Sequence, residues 1–189
     1  MTDFIWGDFI EESVVDGLID FWKNQNILFV NDGSAVKNDG TTILNKDYKD
    51  SRDIAITTNL DIKSIKDYVI SLQGVLDKYR KKFPYCDITS PYNIGKVMNM
   101  QWYPVGGGFP QWHSERMSSS RSVVYRHLVF MTYLNDVPDG GTEWFHQNRY
   151  IPAQKGYTVI WPADWTHLHR GVISKTSEKY IITGWYSFV

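Results

Sequence analysis

Apolar residues recur at two different spacings along this chain, and the change of spacing divides it. In the first half Ile10, Val14, Leu18, Phe21 and Trp22 return every three or four residues, with Asp8 or Glu11 placed to start a helix. A second stripe, Ile65, Val69, Ile70, Leu72, Val75, Leu76 and Tyr79, predicts a helix over about 62–83. The basic run Lys78, Arg80, Lys81 and Lys82 at its end reads as a solvated face that complements the helix dipole. Between the two helices residues 31–50 are polar, with turn signals at Asp32-Gly33 and Asp39-Gly40. That stretch is long for a plain connection. It reads equally as a mobile cover over a site and as a surface loop or hairpin with no role. From about residue 97 the pattern becomes β-branched and aromatic, predicting strands at 97–103, 122–134, 157–161 and 179–189. Turn signals at 105–108, 137–141, 152–156 and 162–164 separate them. Many short strands with such turns imply a β-sandwich or jelly roll.

At 189 residues the chain suits one domain. The expected class is α+β, an all-β core with flanking helices: 1–96 as helical support and outer strands, 97–189 as the core. Lys plus Arg is 20 and Asp plus Glu is 21, a net charge of −1, which removes the electrostatic case for nucleic acid or an anionic membrane as a partner. Hydrophobic residues at 42% and aromatics at 15% exclude a disordered chain. A single cysteine, Cys86, excludes a disulfide framework and a CxxC zinc site. The acidic first residues carry no secretory signal pattern, and no apolar run reaches membrane length, so a soluble cytoplasmic protein is expected. There is no Walker loop, GxGxxG or GxSxG motif.

The histidines give the second half its chemistry. All five (His113, His127, His146, His167, His169) lie beyond residue 100, as do six of the eight tryptophans. His127 and His146 read as ordinary sheet residues. In Trp112-His113-Ser114-Glu115 an imidazole and a carboxylate two residues apart share one face of a strand end. That donor pair suits Fe(II), Mn(II) or Zn(II), although taken alone it also reads as an exposed ion pair. Trp165-Thr166-His167-Leu168-His169-Arg170-Gly171 can add a second histidine from a distant strand. Two histidines and a carboxylate on one face of a metal leave positions open for dioxygen and a chelating cosubstrate. Closed structural zinc sites use thiolates that this chain lacks.

Several spaced motifs in order give a resemblance. Tyr103-Pro104, a glycine-rich bend, and His113 ten residues after the tyrosine are followed by 126–135, ending in Tyr133-Leu134-Asn135. Next come Gly140-Gly141-Thr142-Glu143-Trp144, Pro152-Ala153-Gln154-Lys155-Gly156, His169-Arg170-Gly171, and a closing strand that begins at Lys179. This order, from Tyr103 to Tyr186, resembles the Fe(II)- and 2-oxoglutarate-dependent dioxygenases of the prolyl 4-hydroxylase branch. The resemblance implies their double-stranded β-helix, a jelly roll. It implies His113, Glu115 and His169 as iron ligands, with His169 preferred to His167 for its ten-residue offset to Lys179. It implies Lys179 as partner of the distal carboxylate of 2-oxoglutarate, with Tyr103, Tyr133 and Thr183 adding hydroxyl hydrogen bonds. Trp185 would pack against that distal end. Fe(II), 2-oxoglutarate and O2 follow as cofactor and cosubstrates, with ascorbate as a further reductant. The reaction implied is hydroxylation of an aliphatic C–H with release of succinate and CO2.

The substrate implied is a proline-containing peptide or protein. Trp112 and Trp165 are the choices for an apolar platform beneath it. Arg116 and Arg170 can contact substrate or simply face solvent, and His167 can line the entrance. The same chemistry on a free amino acid or other small molecule is an alternative, and so is a non-catalytic jelly-roll binding module with a degenerate metal site. Two positions depart from the family pattern: Glu115 stands where most members have Asp, and Lys179 where many have Arg.

Overall fold

The computed structural model describes residues 2–24, 30–36, 41–88, 90–117 and 120–189. In chain order the strands are β1 (Trp6–Phe9), β2 (Asn31–Asp32), β3 (Ala35–Val36), β4 (Thr42–Ile43), β5 (Arg52–Thr57), β6 (Tyr92–Ile94) and β7 (Val97–Tyr103). They continue with β8 (Arg126–Tyr133), β9 (Val137–Trp144), β10 (Arg149–Ala153), β11 (Tyr157–Pro162), β12 (His169–Val172) and β13 (Lys179–Phe188). The helices are α1 (Glu12–Lys23), α2 (Lys63–Lys82) and the short α3 (Arg121–Val124). A large antiparallel sheet runs β1-β11-β8-β13-β7-β5-β2, with β6 beside β13. A small sheet, β10-β9-β12, faces it, and β3 with β4 forms a separate hairpin. This is the expected two-sheet jelly roll with supporting helices.

Period-two alternation in the large sheet builds two cores. On β8, Leu128 and Phe130 point to the helices, while Val129, Met131 and Tyr133 point between the sheets. Helices α1 and α2 lay Leu18, Ile65, Tyr68, Leu72, Val75 and Tyr79 on the first face. A buried hydroxyl chain also crosses it: Tyr68 to Thr132 at 3.0 Å, then Thr132 to Thr158 at 2.7 Å. Trp144, Trp161, Ile151 and Val159 fill the second face together with Tyr103 and Ile181. On β13 the same alternation sends Ile182 and Tyr186 to the helices, and Lys179, Ile181, Thr183 and Trp185 to the opposite side.

Several local expectations are corrected. The β-branched run expected as strand from 122 opens instead with α3, whose Val123 and Val124 amides donate to the Ser120 carbonyl. The turn expected at 137–141 is the first half of β9. Its glycines serve close packing there, since a side chain on Gly141 would meet the Ile151 carbonyl. Residues 165–167 form a 3-10 turn rather than strand, and His146 lies in the β9–β10 turn rather than in the sheet. Strands β1 and β5 carried no clear signal. Neither Asp8 nor Glu11 caps α1 through its side chain, and Asp8 instead pairs with Lys78 of the basic run at 2.5 Å. The polar stretch 31–50 contributes β2 and the β3–β4 hairpin, while its Asp39-Gly40 turn falls outside the described residues. Among the described residues no helix is long and apolar enough to cross a membrane.

Gly184, in the middle of β13, leaves room for the Phe130 ring, and any side chain there would meet its edge. Gly184→Val should therefore cost about 1–3 kcal/mol by overpacking. Gly74 sits in α2 with nothing within 4 Å of an added Cβ. Gly74→Ala should stabilise by roughly 0.5–1 kcal/mol. Urea midpoints should move in opposite directions for the two variants.

Candidate active site

Two main-chain hydrogen bonds fasten the site. His113 N donates to His169 O at 3.0 Å, and His169 N donates back to His113 O at 2.8 Å. Two residues on, Glu115 N donates to Ala163 O at 3.2 Å. The 113–115 segment is thus held between the start of β12 and the chain just after β11. The alternation of an extended segment then turns His113 and Glu115 to the same side.

The potential ligand atoms of His113, Glu115 and His169 lie within 4.8 Å of one another. Glu115 Oε1 is 3.3 Å from His169 Nε2 and 3.7 Å from His113 Nε2. The Nδ1 atoms face the Gln111 carbonyl at 2.8 Å and the His167 carbonyl at 2.9 Å. A carbonyl can only accept, so each Nδ1 carries the hydrogen and each Nε2 turns a lone pair inward. Two imidazole lone pairs and a carboxylate oxygen converge, an arrangement that calls for a cation between them. The donor set fits a divalent metal of the Fe(II), Mn(II) or Zn(II) kind.

Electrostatics prepares these groups. Burial, reinforced by neighbouring His169, lowers the His113 pKa to about 4, so the ring is neutral near pH 7. Burial by itself would raise the pKa of Glu115, but the close approach of His169 and the charge of Arg126 outweigh it and hold the carboxyl below the usual carboxylate range. The Phe109 ring stacks on His113 with centroids 4.1 Å apart, and Trp161 meets His169 edge-on at 5.0 Å.

Glu115 is held at its outer oxygen as well. Oε2 accepts from Arg126 Nη1 at 3.1 Å and from Trp185 Nε1 at 2.9 Å. Arg126 also donates to the Glu115 main-chain carbonyl at 3.1 Å and lies over the Trp185 ring at 3.5 Å. Both partners fix the longer arm of glutamate so that Oε1 faces the histidines. The indole of Trp185, expected against the far end of a cosubstrate, is instead bound to a prospective ligand.

The cluster opens into a cavity of about 540 Å³. Lys179, Tyr103, Tyr133, Thr183, Trp185 and Trp112 all line it. Lys179 is buried, its Nζ donating to the Val172 carbonyl at 2.9 Å and lying 5.3 Å from the Tyr103 ring. Burial lowers its pKa to about 8. The hydroxyls of Tyr103, Tyr133 and Thr183 donate to Gln101 Oε1, Thr142 Oγ1 and the Phe130 carbonyl, which leaves their oxygens as acceptors. The Trp161 indole N–H, also in the wall, has no hydrogen-bond partner.

Sequence reasoning missed the polar end of this cavity. Lys49 is buried and pairs with Asp53 at 2.6 Å, and Ser51 and Gln101 also donate to that carboxylate. Asn31, Asp32, Ser34 and Tyr48 add to the wall, so the 31–50 segment does border the site. No spacing in the sequence distinguishes Lys49 from a surface lysine. The side chains of His167, Trp165 and Arg116 lie away from the cavity wall. His167 is a core residue whose Nε2 meets the Asp3 carbonyl at 2.9 Å, because the 3-10 turn breaks the strand alternation that would have aligned it with His169. Arg116 pairs with Asp164 at 3.0 Å. Arg170 pairs with Glu143 at 2.9 Å and covers Trp112 at 4.5 Å.

Comparison with known proteins points the same way. Residues 98–187 match the family model described as the 2OG-Fe(II) oxygenase superfamily. Among solved structures, a Pseudomonas putida prolyl-4-hydroxylase superimposes with a TM-score of 0.71 at 12% identity, covering 100% of this chain and 94% of that one. A viral collagen prolyl hydroxylase from Paramecium Bursaria Chlorella virus-1, in its 2OG complex, gives 0.72 at 17%, covering 98% and 97%. A Trichoplax adhaerens prolyl hydroxylase, in complex with a hypoxia inducible factor oxygen degradation domain peptide fragment, gives 0.68 at 16%, covering 97% and 82%. No curated protein matches the chain in sequence.

Anaerobic calorimetry with Mn(II) tests the centre. His169→Ala should abolish binding, whereas His167→Ala should retain most of it. Trp185→Phe, which frees Glu115 Oε2 from one donor, should weaken binding by about ten- to a hundredfold. Loss of binding in His167→Ala with retention in His169→Ala would assign the wrong histidine.

Proposed function

Because residues 98–187 match the family model of the 2OG-Fe(II) oxygenase superfamily, we propose that the chain is a 2-oxoglutarate-dependent dioxygenase that hydroxylates a prolyl residue in a peptide or protein. The observation that carries this reading is the His113–Glu115–His169 cluster opening onto a cavity that holds a buried ammonium group. Fe(II) held by these three side chains supplies, with 2-oxoglutarate and O2, the oxidising power that turns C–H into C–OH with release of succinate and CO2. Neighbours named as prolyl hydroxylases, one bound to a peptide fragment, support the substrate class.

The chain's own groups then do the following. His113 and His169 offer Nε2 atoms aimed by main-chain carbonyls, and Glu115 offers one charged oxygen. Lys179 pairs with the distal carboxylate of 2-oxoglutarate. A charge buried against a lone carbonyl is costly, and an anionic partner relieves that cost. The acceptor oxygens of Tyr103, Tyr133 and Thr183 border the cosubstrate's path and can re-aim their hydrogens toward it. Trp112, at the cavity wall, provides an aromatic face for the prolyl ring. Arg170 holds that indole by a cation–π contact.

Lys179 gives the reading a pH signature. Its lowered pKa means that the ammonium is present below about pH 8 and lost above it. Pairing with a carboxylate favours the charged form, so 2-oxoglutarate binding above that pH must take up a proton. Affinity should fall roughly tenfold per pH unit beyond about pH 8. Tryptophan fluorescence titration should show this for the native chain, and a Lys179→Met variant should bind weakly with a flat profile. Blocked proline-containing peptides incubated with Fe(II), 2-oxoglutarate and O2 should gain the mass of one oxygen atom. Failure of every such peptide, with succinate still formed, would remove the prolyl assignment.

A further inference from the structure

From the cavity mouth a row of aromatic rings runs outward over the surface. Trp112 lines the cavity and meets Phe145 edge-on at 5.3 Å. Phe145 meets His146 at 5.2 Å, and His146 meets Trp165 at 6.1 Å, again edge to face. Phe145 is 58% exposed and Trp165 66%, so large apolar area faces water in a continuous strip. Exposed apolar strips of this kind mark interaction sites more often than chance surface.

The strip is held in place from below. Phe145 N donates to the Leu168 carbonyl at 2.8 Å, and Gln147 Nε2 donates to the Thr166 carbonyl at 2.9 Å. These bonds tie the β9–β10 turn to the 3-10 turn that carries Trp165. Asn148 closes the former with a left-handed φ of 45°, a conformation asparagine tolerates. Charges beside the strip cancel in pairs, Arg170 with Glu143 and Arg116 with Asp164. An ionic partner therefore finds little to hold, whereas an uncharged chain with compact apolar rings does.

We infer that this row is a docking rail for an extended, proline-rich segment of the substrate polypeptide, which it feeds toward the metal cluster past Trp112. The inference rests on the prolyl-hydroxylase reading and makes the substrate a chain of several residues rather than a free amino acid. Polyproline II segments dock on aromatic-lined surfaces with little loss of entropy, because they are already extended. The ring-to-ring distances limit the row to about 17 Å, which five or six residues cover at ~3.1 Å each. Phe145 and Trp165 act on binding alone, at a distance from the reacting atoms.

Calorimetry with blocked oligoprolines of three, six and nine residues on the full chain tests it. Affinity should rise at least tenfold from three to six residues and then level off. Phe145→Ala and Trp165→Ala should each weaken binding of the hexamer by about three- to tenfold, while the trimer keeps its native affinity. Thermal melting checks that both surface variants are folded. A flat length series, or variants that bind the hexamer as the native chain does, would overturn the rail. So would sedimentation showing a dimer that both substitutions dissolve, because the strip would then be a self-association face. Binding is read without turnover, which separates the two readings. Length-dependent binding without hydroxylation leaves the rail and removes the prolyl chemistry. A hydroxylated trimer with a flat series does the reverse.

Discussion

The arrangement depends on a pair of reciprocal main-chain hydrogen bonds between His113 and His169. They join a loop after β7 to the first residue of β12, which belongs to the other sheet. Side-chain ligands drawn from points this far apart in sequence converge only if their backbones are fastened to each other. Here the fastening uses no side-chain atom, so both imidazoles stay free to be aimed. Their Nδ1 hydrogens are then taken by the carbonyls of Gln111 and His167, two residues before each ring. The same local geometry, repeated on two separate segments, turns both Nε2 atoms into the cavity.

The third donor is governed differently. Glutamate reaches one methylene further than aspartate and has one more rotatable bond, so its carboxylate needs outside restraint. Arg126 and Trp185, on the neighbouring strands β8 and β13, provide it by binding the oxygen that the histidines do not face. Deeper in, Lys179 stands on β13 six residues before Trp185, on the same face of the strand. One strand thus carries both the anchor of a prospective metal ligand and the cation of the cosubstrate pocket. The distance between those two features is set by the strand's rise per residue, ~3.3 Å.

Much of this was legible in the sequence, for identifiable reasons. The two long helices announced themselves through their apolar stripes, and strands β7, β11 and β13 through β-branched and aromatic runs whose ends lie within a residue or so of the strand ends. The residues now found converging, His113, Glu115 and His169, had been picked out by spacing and by family pattern together. What failed were places where tertiary packing overrides local preference. Gly140 and Gly141 signal a turn in isolation, yet they sit inside β9, where Val137 leaves no space for a side chain on the first and Ile151 and Tyr150 none on the second. His167 looked equivalent to His169 until a 3-10 turn rotated it into the core. Lys49 and Asp53 come together where the chain enters β5, and Arg126 reaches Glu115 from the first residue of β8. Neither pairing leaves a trace in residue periodicity.

The alternation along β13 has one more consequence. Because odd-numbered positions face the cavity and even-numbered ones the helices, sliding this strand by a single residue against β7 and β8 would exchange the two sets completely. Tyr180 and Ile182 would occupy the cavity, and an ammonium group would be pressed into the oily interface where Tyr180 now meets Trp22 of α1. Fidelity of strand pairing and competence of the site are therefore one requirement. A mis-registered chain would be ruled out by its own buried charge before it could persist as an inactive look-alike.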